Sequence, residues 1–242
     1  MVTRSGRAAA CHDLTVARAC LVLDFDGTIL DTEESLYRSW AELWSDHGHE
    51  LSLADWQANI GTDDVFDPLV ELEDRIGRPI GGGAQDRRRL RRDQIQARHQ
   101  PRPGVLRWLS EAQGSGVPVG IASSSPLVWV EGHLERLGMR SYFSCLVCRD
   151  DQVPPKPAPT SYLMACERLG SDPLRSVAVE DSPHGVVAAV SAGLFTVAVP
   201  HGLTADLDMS AADVIAASLD DVSLADTLGD ASARTRRPGR GR

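Results

Sequence analysis

Apolar residues follow two different rhythms along the 242-residue chain. Ala19 to Leu23 form an unbroken apolar run, the pattern of a strand buried on both faces, and the strand predicted from it spans 19–25. From 32 to about 100 the rhythm is helical throughout. Leu36, Trp40, Leu43 and Trp44 recur at helical spacing over 32–48, where Thr32 followed by acids suits a helix start and Gly48 ends the segment. Ser52 can cap a second helix through Asn59, 60–64 read as a turn, and a third helix follows over 66–76. The glycines at 81–83 form a joint before a very polar helix over 84–99. From 104 onward short apolar runs alternate with helices. Helices are predicted over 104–114, 127–137, 159–169, 184–192 and 220–228. Strands are predicted over 117–122, 145–148, 176–179, 195–199 and 213–216.

Strands separated by helices of 10–15 residues imply βαβ units and a parallel sheet. The predicted fold is therefore α/β, a doubly wound, Rossmann-like parallel sheet with an inserted all-helical cap domain. Residues 19–31 and 101–230 make the core and 32–100 the cap. Residues 1–18 read as a flexible leader. Residues 231–242, with five arginines, no acids and no apolar pattern, read as a disordered basic tail.

Charge changes the picture next. The formal net charge of −9 argues against nucleic acid as a partner, because phosphate backbones demand a basic face. It leaves room for a small phosphorylated metabolite, which needs only a local cation. No stretch approaches the roughly 20 apolar residues of a membrane helix, and 1–10 lack a signal-type apolar core, so no membrane partner is expected. Five scattered cysteines fit a reduced, cytoplasmic protein, and a monomer is expected. Cys145 and Cys148 have CxxC spacing but no second ligand pair nearby, so they read as core packing. The helix carrying Arg87, Arg88, Arg89, Arg91 and Arg92 reads as a solvated face, with reach to a substrate phosphate as the alternative.

Candidate chemistry gathers at the predicted strand ends. Asp24 and Asp26 stand two residues apart where the first strand stops, and Gly27 lets the chain turn away. As a plain feature this is a strand with an Asp-Gly turn. As chemistry, the crowded acids call for a hard cation such as Mg²⁺, and they supply a nucleophile and an acid–base pair. Ser123, Ser124 and Ser125 follow the second core strand, where they can cap a helix or hold phosphate oxygens. Lys156 lies between prolines, so its long side chain leaves a rigid base. Glu180 and Asp181 end another strand, as a surface turn or as the rest of an oxygen cage for Mg²⁺ beside Asp24 and Asp26.

The string from Asp24 to Glu33, DFDGTILDTE, closely resembles the first motif of the haloacid dehalogenase superfamily of phosphohydrolases. Ser123 matches the phosphate-binding Ser or Thr of the second motif. KPAP at 156–159 resembles the third, and VEDS at 179–182 the fourth. The resemblance covers roughly 19–200, and the helical insertion looks like the small cap of the β-phosphoglucomutase and phosphoglycolate phosphatase branch. It implies that Asp24 attacks phosphorus to form an aspartyl phosphate, while Asp26 protonates the leaving alcohol and later takes a proton from water. It implies Mg²⁺ on Asp24, Asp181 and the Asp26 carbonyl with Glu180 nearby, and phosphoryl oxygens on Ser123 and Lys156. Ser124 and the cap residue Thr62 are further substrate-binding candidates.

Three other readings share part of this pattern. A haloalkanoic acid dehalogenase needs no second acid, so Asp26 speaks against it. A mutase of the β-phosphoglucomutase type has a histidine, an arginine and a lysine where this chain has Leu36, Asp64 and Pro126. A non-catalytic phosphate-binding regulator would have lost a catalytic carboxylate, and none is lost. The expected function is Mg²⁺-dependent hydrolysis of a small phosphate monoester, such as a sugar phosphate.

Overall fold

The computed structural model describes residues 18–60 and 66–234. Thr62 and Asp64, the leader up to residue 17 and the tail from 235 lie outside the described residues. Six parallel strands form one sheet: β1 (Leu21–Leu23), β2 (Val119–Ala122), β3 (Cys145–Val147), β4 (Val177–Glu180), β5 (Phe195–Ala198) and β6 (Val214–Ile215), in the order β3-β2-β1-β4-β5-β6. The register pairs Leu21 with both Val119 and Val177, so β1 lies at the centre. The chain reverses direction of travel across the sheet at β1, and in such sheets ligands bind past the strand ends at that point.

Alternation along β1 feeds two cores. Leu21 and Leu23 face one side with Trp108, Ile121, Val130, Val177 and Val179. Cys20 and Val22 face the other with Ala122, Tyr162, Ala165, Ala178 and Ala188. Helices α5 (Val105–Gly114), α6 (Leu127–Arg136) and α9 (Leu224–Arg234) supply the first side, and α7 (Thr160–Arg168) and α8 (Pro183–Ser191) the second. Cys148 is buried and Cys145 half-buried, and burial pushes their thiols up to about 12 and about 11, which suits packing and not redox work.

The cap is α1 (Thr32–Asp46), α2 (Leu53–Asn59), α3 (Pro68–Ile76) and α4 (Gly82–Gln96), with its own core of Leu43, Trp44, Leu51, Trp56, Leu72 and Ile80. Asp31, Ser52 and Asp67 each cap the helix that follows, as expected for Ser52. The arginine helix is not a simple solvated face. Arg88 is half-buried over the Trp40 ring at 3.9 Å, and Arg92 lies 5.7 Å from the Trp129 ring of α6.

The last helix differs from expectation. It runs over Leu224–Arg234, past the predicted end at 228 and into the predicted tail, because Ala231 is fully buried against the first core. A short 3₁₀ turn at Leu219–Asp221 occupies the expected helix start. Residues 231–234 of the predicted disordered tail are therefore helical, and the rest of that tail lies outside the described residues.

At the second connection between cap and core, the Arg102 guanidinium donates to the carbonyls of Gly27, Val199 (2.8 Å) and Pro200 (2.9 Å). Its backbone N–H donates to the Ile29 carbonyl at 2.9 Å. One side chain thus ties the returning chain to the loops after β1 and β5. Gln57 Nε2 in the cap also donates to the Leu203 carbonyl of the core at 2.8 Å.

Candidate active site

Asp24 is the first residue past β1, and its backbone N–H donates to the Val179 carbonyl of β4 at 3.0 Å. That bond places its side chain beside Glu180 and Asp181. Carboxylate oxygens of Asp24, Glu180 and Asp181 lie within 4.8 Å of one another, all buried. Lys156 Nζ reaches into the same cluster, 2.5 Å from Asp24 Oδ1 and 2.6 Å from Glu180 Oε1.

The backbone is shaped to admit these acids. Gly27 has φ +79°, and a Cβ there would lie 2.2 Å from Asp181 Oδ2. A Cβ on Gly185 would lie 1.9 Å from Glu180 Oε1. Neither close approach tolerates a side chain. Glu180, with no exposure, accepts from Lys156, from Tyr162 OH at 2.7 Å, from the Asp181 and Ser182 N–H groups and from Ser182 Oγ. It is the anchor of the cluster. Asp181 Oδ1 accepts from Thr28 Oγ1 at 2.9 Å, whereas Asp181 Oδ2 is buried with no hydrogen-bond partner, 3.2 Å from His201 Nε2.

The electrostatics ask for a divalent cation. Three carboxyl groups face a single ammonium in a buried site. Burial pushes Asp24 well above its usual range despite Lys156, and Glu180 and Asp181 push it the same way. Burial alone would pull Lys156 down, but Asp24 and Glu180 outweigh it and hold the ammonium above its ordinary value. An all-oxygen donor set with an unpartnered buried carboxylate oxygen fits a hard divalent ion.

Asp26 is placed differently. Its side chain does not join the carboxylate cluster. It accepts at Oδ1 from Thr32 Oγ1 (2.6 Å) and Trp129 Nε1 (2.9 Å), and at Oδ2 from Ser125 Oγ (2.6 Å).

A cavity of about 240 Å³ opens over these groups. Asp24, Asp26, Ser123, Ser124, Lys156 and Asp181 line it together, so the structure gathers these six sequence-predicted residues. Glu180 sits behind them, and Thr62 is outside the described residues. Ser123 is buried, and its Oγ accepts from the Ser125 N–H at 3.0 Å. None of Arg87, Arg88, Arg89, Arg91 or Arg92 lines the cavity; Arg149 does. Sequence reading missed Arg149, Trp129 and Tyr162, and it named Ser125 as a cap or phosphate residue but not as a partner of Asp26.

The cap closes the cavity with Glu33, Leu36, Trp56 and Ile60. Burial, and then Asp26, Asp181 and Asp31, push Glu33 up to about 8 from its usual 4.5. The folded state therefore keeps a proton that the unfolded chain gives up. The stability this supplies is complete below pH 4.5 and lost as pH rises toward 8. In metal-free protein, Glu33→Gln is expected to remove that component. Thermal unfolding at pH 5 and pH 9 should show wild type losing more stability than the variant; parallel losses would refute it.

A sheet of this order, with buried acids and a lysine converging past β1 and β4 under a helical cap, is the layout that the resemblance to the phosphohydrolase superfamily implies. The chain belongs to the haloacid dehalogenase-like hydrolase family, whose model matches residues 19–193. It is 39% identical over 190 residues to YhcW of Bacillus subtilis, covering 77% of this chain and 86% of that one. It is 30% identical over 178 residues to the fructose-1-phosphate phosphatase YqaB of Escherichia coli, covering 73% and 93% respectively. CbbY from Rhodobacter sphaeroides, solved in complex with phosphate, superposes with a TM-score of 0.69 at 25% identity, covering 88% of this chain and 99% of that one. No helix among the described residues is long and apolar enough to cross a membrane.

Proposed function

We propose that this enzyme hydrolyses a small phosphate monoester, a sugar or polyol phosphate, through an aspartyl phosphate on Asp24. The observation that carries the reading is the Lys156 ammonium 2.5 Å from Asp24 Oδ1 at the floor of the cavity. It can balance charge on both the nucleophile and an incoming phosphoryl group. Asp24 attacks phosphorus in line, and the bond to the leaving oxygen breaks. Asp26 gives that oxygen a proton. Asp26 then takes a proton from the water that attacks the aspartyl phosphate, freeing inorganic phosphate and Asp24. Ser123 and Lys156 hold the phosphoryl oxygens, and Ser124 borders them. The cofactor is proposed to be Mg²⁺, which would be held by Asp24, Asp181 and the Asp26 carbonyl, with Glu180 behind. When bound, it supplies Lewis-acid stabilisation of charge on the phosphoryl oxygens.

Substrate size and class rest on the cavity, about 240 Å³ with four serines, Arg149 and Glu33 facing an apolar wall of Leu36, Trp56 and Ile60. YqaB, named for a sugar phosphate, supports the same class. Leu36 lines the cavity where a mutase of the β-phosphoglucomutase type places a histidine, which favours hydrolysis over phosphoryl return. The protein is proposed to act on a free metabolite as a monomer in the cytoplasm, with residues 32–100 as the substrate-selecting unit.

Phosphate release from a panel of sugar and polyol phosphates tests the reading. Turnover should require Mg²⁺ and stop in excess chelator, and Asp181→Ala should raise the Mg²⁺ concentration at half-activity by about tenfold or more. With β-glucose 1-phosphate and catalytic glucose 1,6-bisphosphate, ³¹P NMR should show no rapid glucose 6-phosphate. Full activity in chelator, or rapid isomerisation without phosphate release, would overturn it.

A further inference from the structure

We infer that Trp129 is a positioning residue for the proton-carrying Asp26, setting its place through the indole N–H. The inference rests on the proposed role of Asp26 and goes beyond it.

Three donors hold the Asp26 carboxylate: Thr32 Oγ1, Ser125 Oγ and Trp129 Nε1. They are not equivalent. A hydroxyl hydrogen swivels and its oxygen also accepts, so Thr32 and Ser125 can turn to other partners. The indole N–H is donor only, and its direction is fixed by the ring. Thr32 stands at the start of cap helix α1 and Ser125 in a loop, whereas Trp129 rises from core helix α6. Of the three, the indole is the donor on a rigid element with a single hydrogen direction.

The ring itself is held. His133, one turn on, meets it edge-on with centroids 4.5 Å apart and lies 6.0 Å from the ring of Phe25, the residue before Asp26. The cap's Arg92 lies 5.7 Å from the centroid. Trp129 therefore ties α6, the Asp24–Asp26 loop and the arginine helix of the cap at one side chain. This gives that helix a use other than gripping substrate.

A positioned proton donor matters in proportion to the basicity of the leaving group. An alkoxide leaving an alkyl phosphate needs a proton as the bond breaks, whereas p-nitrophenolate leaves without one. The test is kcat/KM, which reads steps up to phosphoryl transfer to Asp24. Trp129→Phe keeps an aromatic ring on α6 but a smaller one, and deletes the N–H; the comparison of two esters separates the lost bond from any general loss of packing. For glycerol 3-phosphate, kcat/KM is expected to fall on the order of 10–100-fold, the size of one hydrogen bond to a charged group. For p-nitrophenyl phosphate it should stay within about twofold. Equal losses on both esters, or none on either, would overturn the inference.

A second arm needs no turnover and no Trp129 variant. Between ¹⁵N-tryptophan-labelled wild type and equally labelled Asp26→Ala, one of the five indole N–H signals should move upfield, because its acceptor is gone. Five unmoved signals would overturn the inference whatever the activity. The reading of Asp24 as nucleophile fails separately, through retained turnover in Asp24→Asn.

Discussion

Asp24→Asn is expected to abolish turnover, by more than ~10⁴-fold, while the protein stays folded. An amide oxygen is a poor nucleophile toward phosphorus and a weaker ligand for a hard cation. The replacement also takes one acid out of a buried cluster in which three carboxyls face one ammonium, so the metal-free protein should be no less stable than wild type. Rate and stability should thus separate. Single-turnover assays with a labelled ester, beside thermal unfolding in chelator, measure both. Turnover within tenfold of wild type would sink covalent catalysis by Asp24. A collapse in stability would show that the cluster is held together by Asp24 more than by Glu180.

The second large effect is the reverse case. Among the described residues, Lys156 is the cation bonded to Asp24 and Glu180, and it is only 4% exposed. Lys156→Met keeps much of the aliphatic stem and leaves the buried carboxylates without their ammonium. Breaking one side of a buried ion pair costs about 3–5 kcal/mol. A loss of that order is expected at pH 8 in chelator, measured by urea unfolding. It should shrink at pH 5, where raised carboxyl groups such as Asp24 take up protons instead. Added Mg²⁺ should restore part of the stability but not the rate, since Lys156 also holds the phosphoryl group. Wild-type stability of the variant at pH 8 without metal would contradict the charge balance described for the site.

Much of this was legible in the sequence, for a definite reason. Strands buried on both faces must be apolar runs, so Leu21–Leu23, Val119–Ala122 and Val177–Glu180 announced themselves within a few residues of their true ends. Asp24, Asp26, Ser123, Glu180 and Asp181 stand just past or at the ends of those strands, where a parallel sheet brings them together. Lys156 was readable from its proline frame. The misses have a common physical cause. Trp129, Tyr162 and Arg149 contribute through the direction of a long side chain, which spacing along a helix or loop does not encode. Trp129 and Tyr162 look like ordinary packing residues until Asp26 and Glu180 are found at the ends of their polar groups. The far end of α9 was missed because its buried residue, Ala231, is small and sits among serine and arginine.

The lining of the catalytic cavity is divided unevenly. Nine of its residues come from the core and four, Glu33, Leu36, Trp56 and Ile60, from the cap. The bonds that hold the reacting groups run almost wholly within the core: Lys156 to Asp24 and Glu180, Tyr162 to Glu180, Thr28 to Asp181, Ser125 and Trp129 to Asp26. Inheritance can therefore act on the two parts at different speeds. A descendant facing a new metabolite can change Leu36, Trp56 or Ile60 and meet a different leaving group without disturbing one bond among the reacting acids. A change at Gly27 or Gly185 gains nothing in selectivity and breaks the chemistry for every substrate. Lineages built on this plan should diversify in what they hydrolyse while keeping how they hydrolyse it.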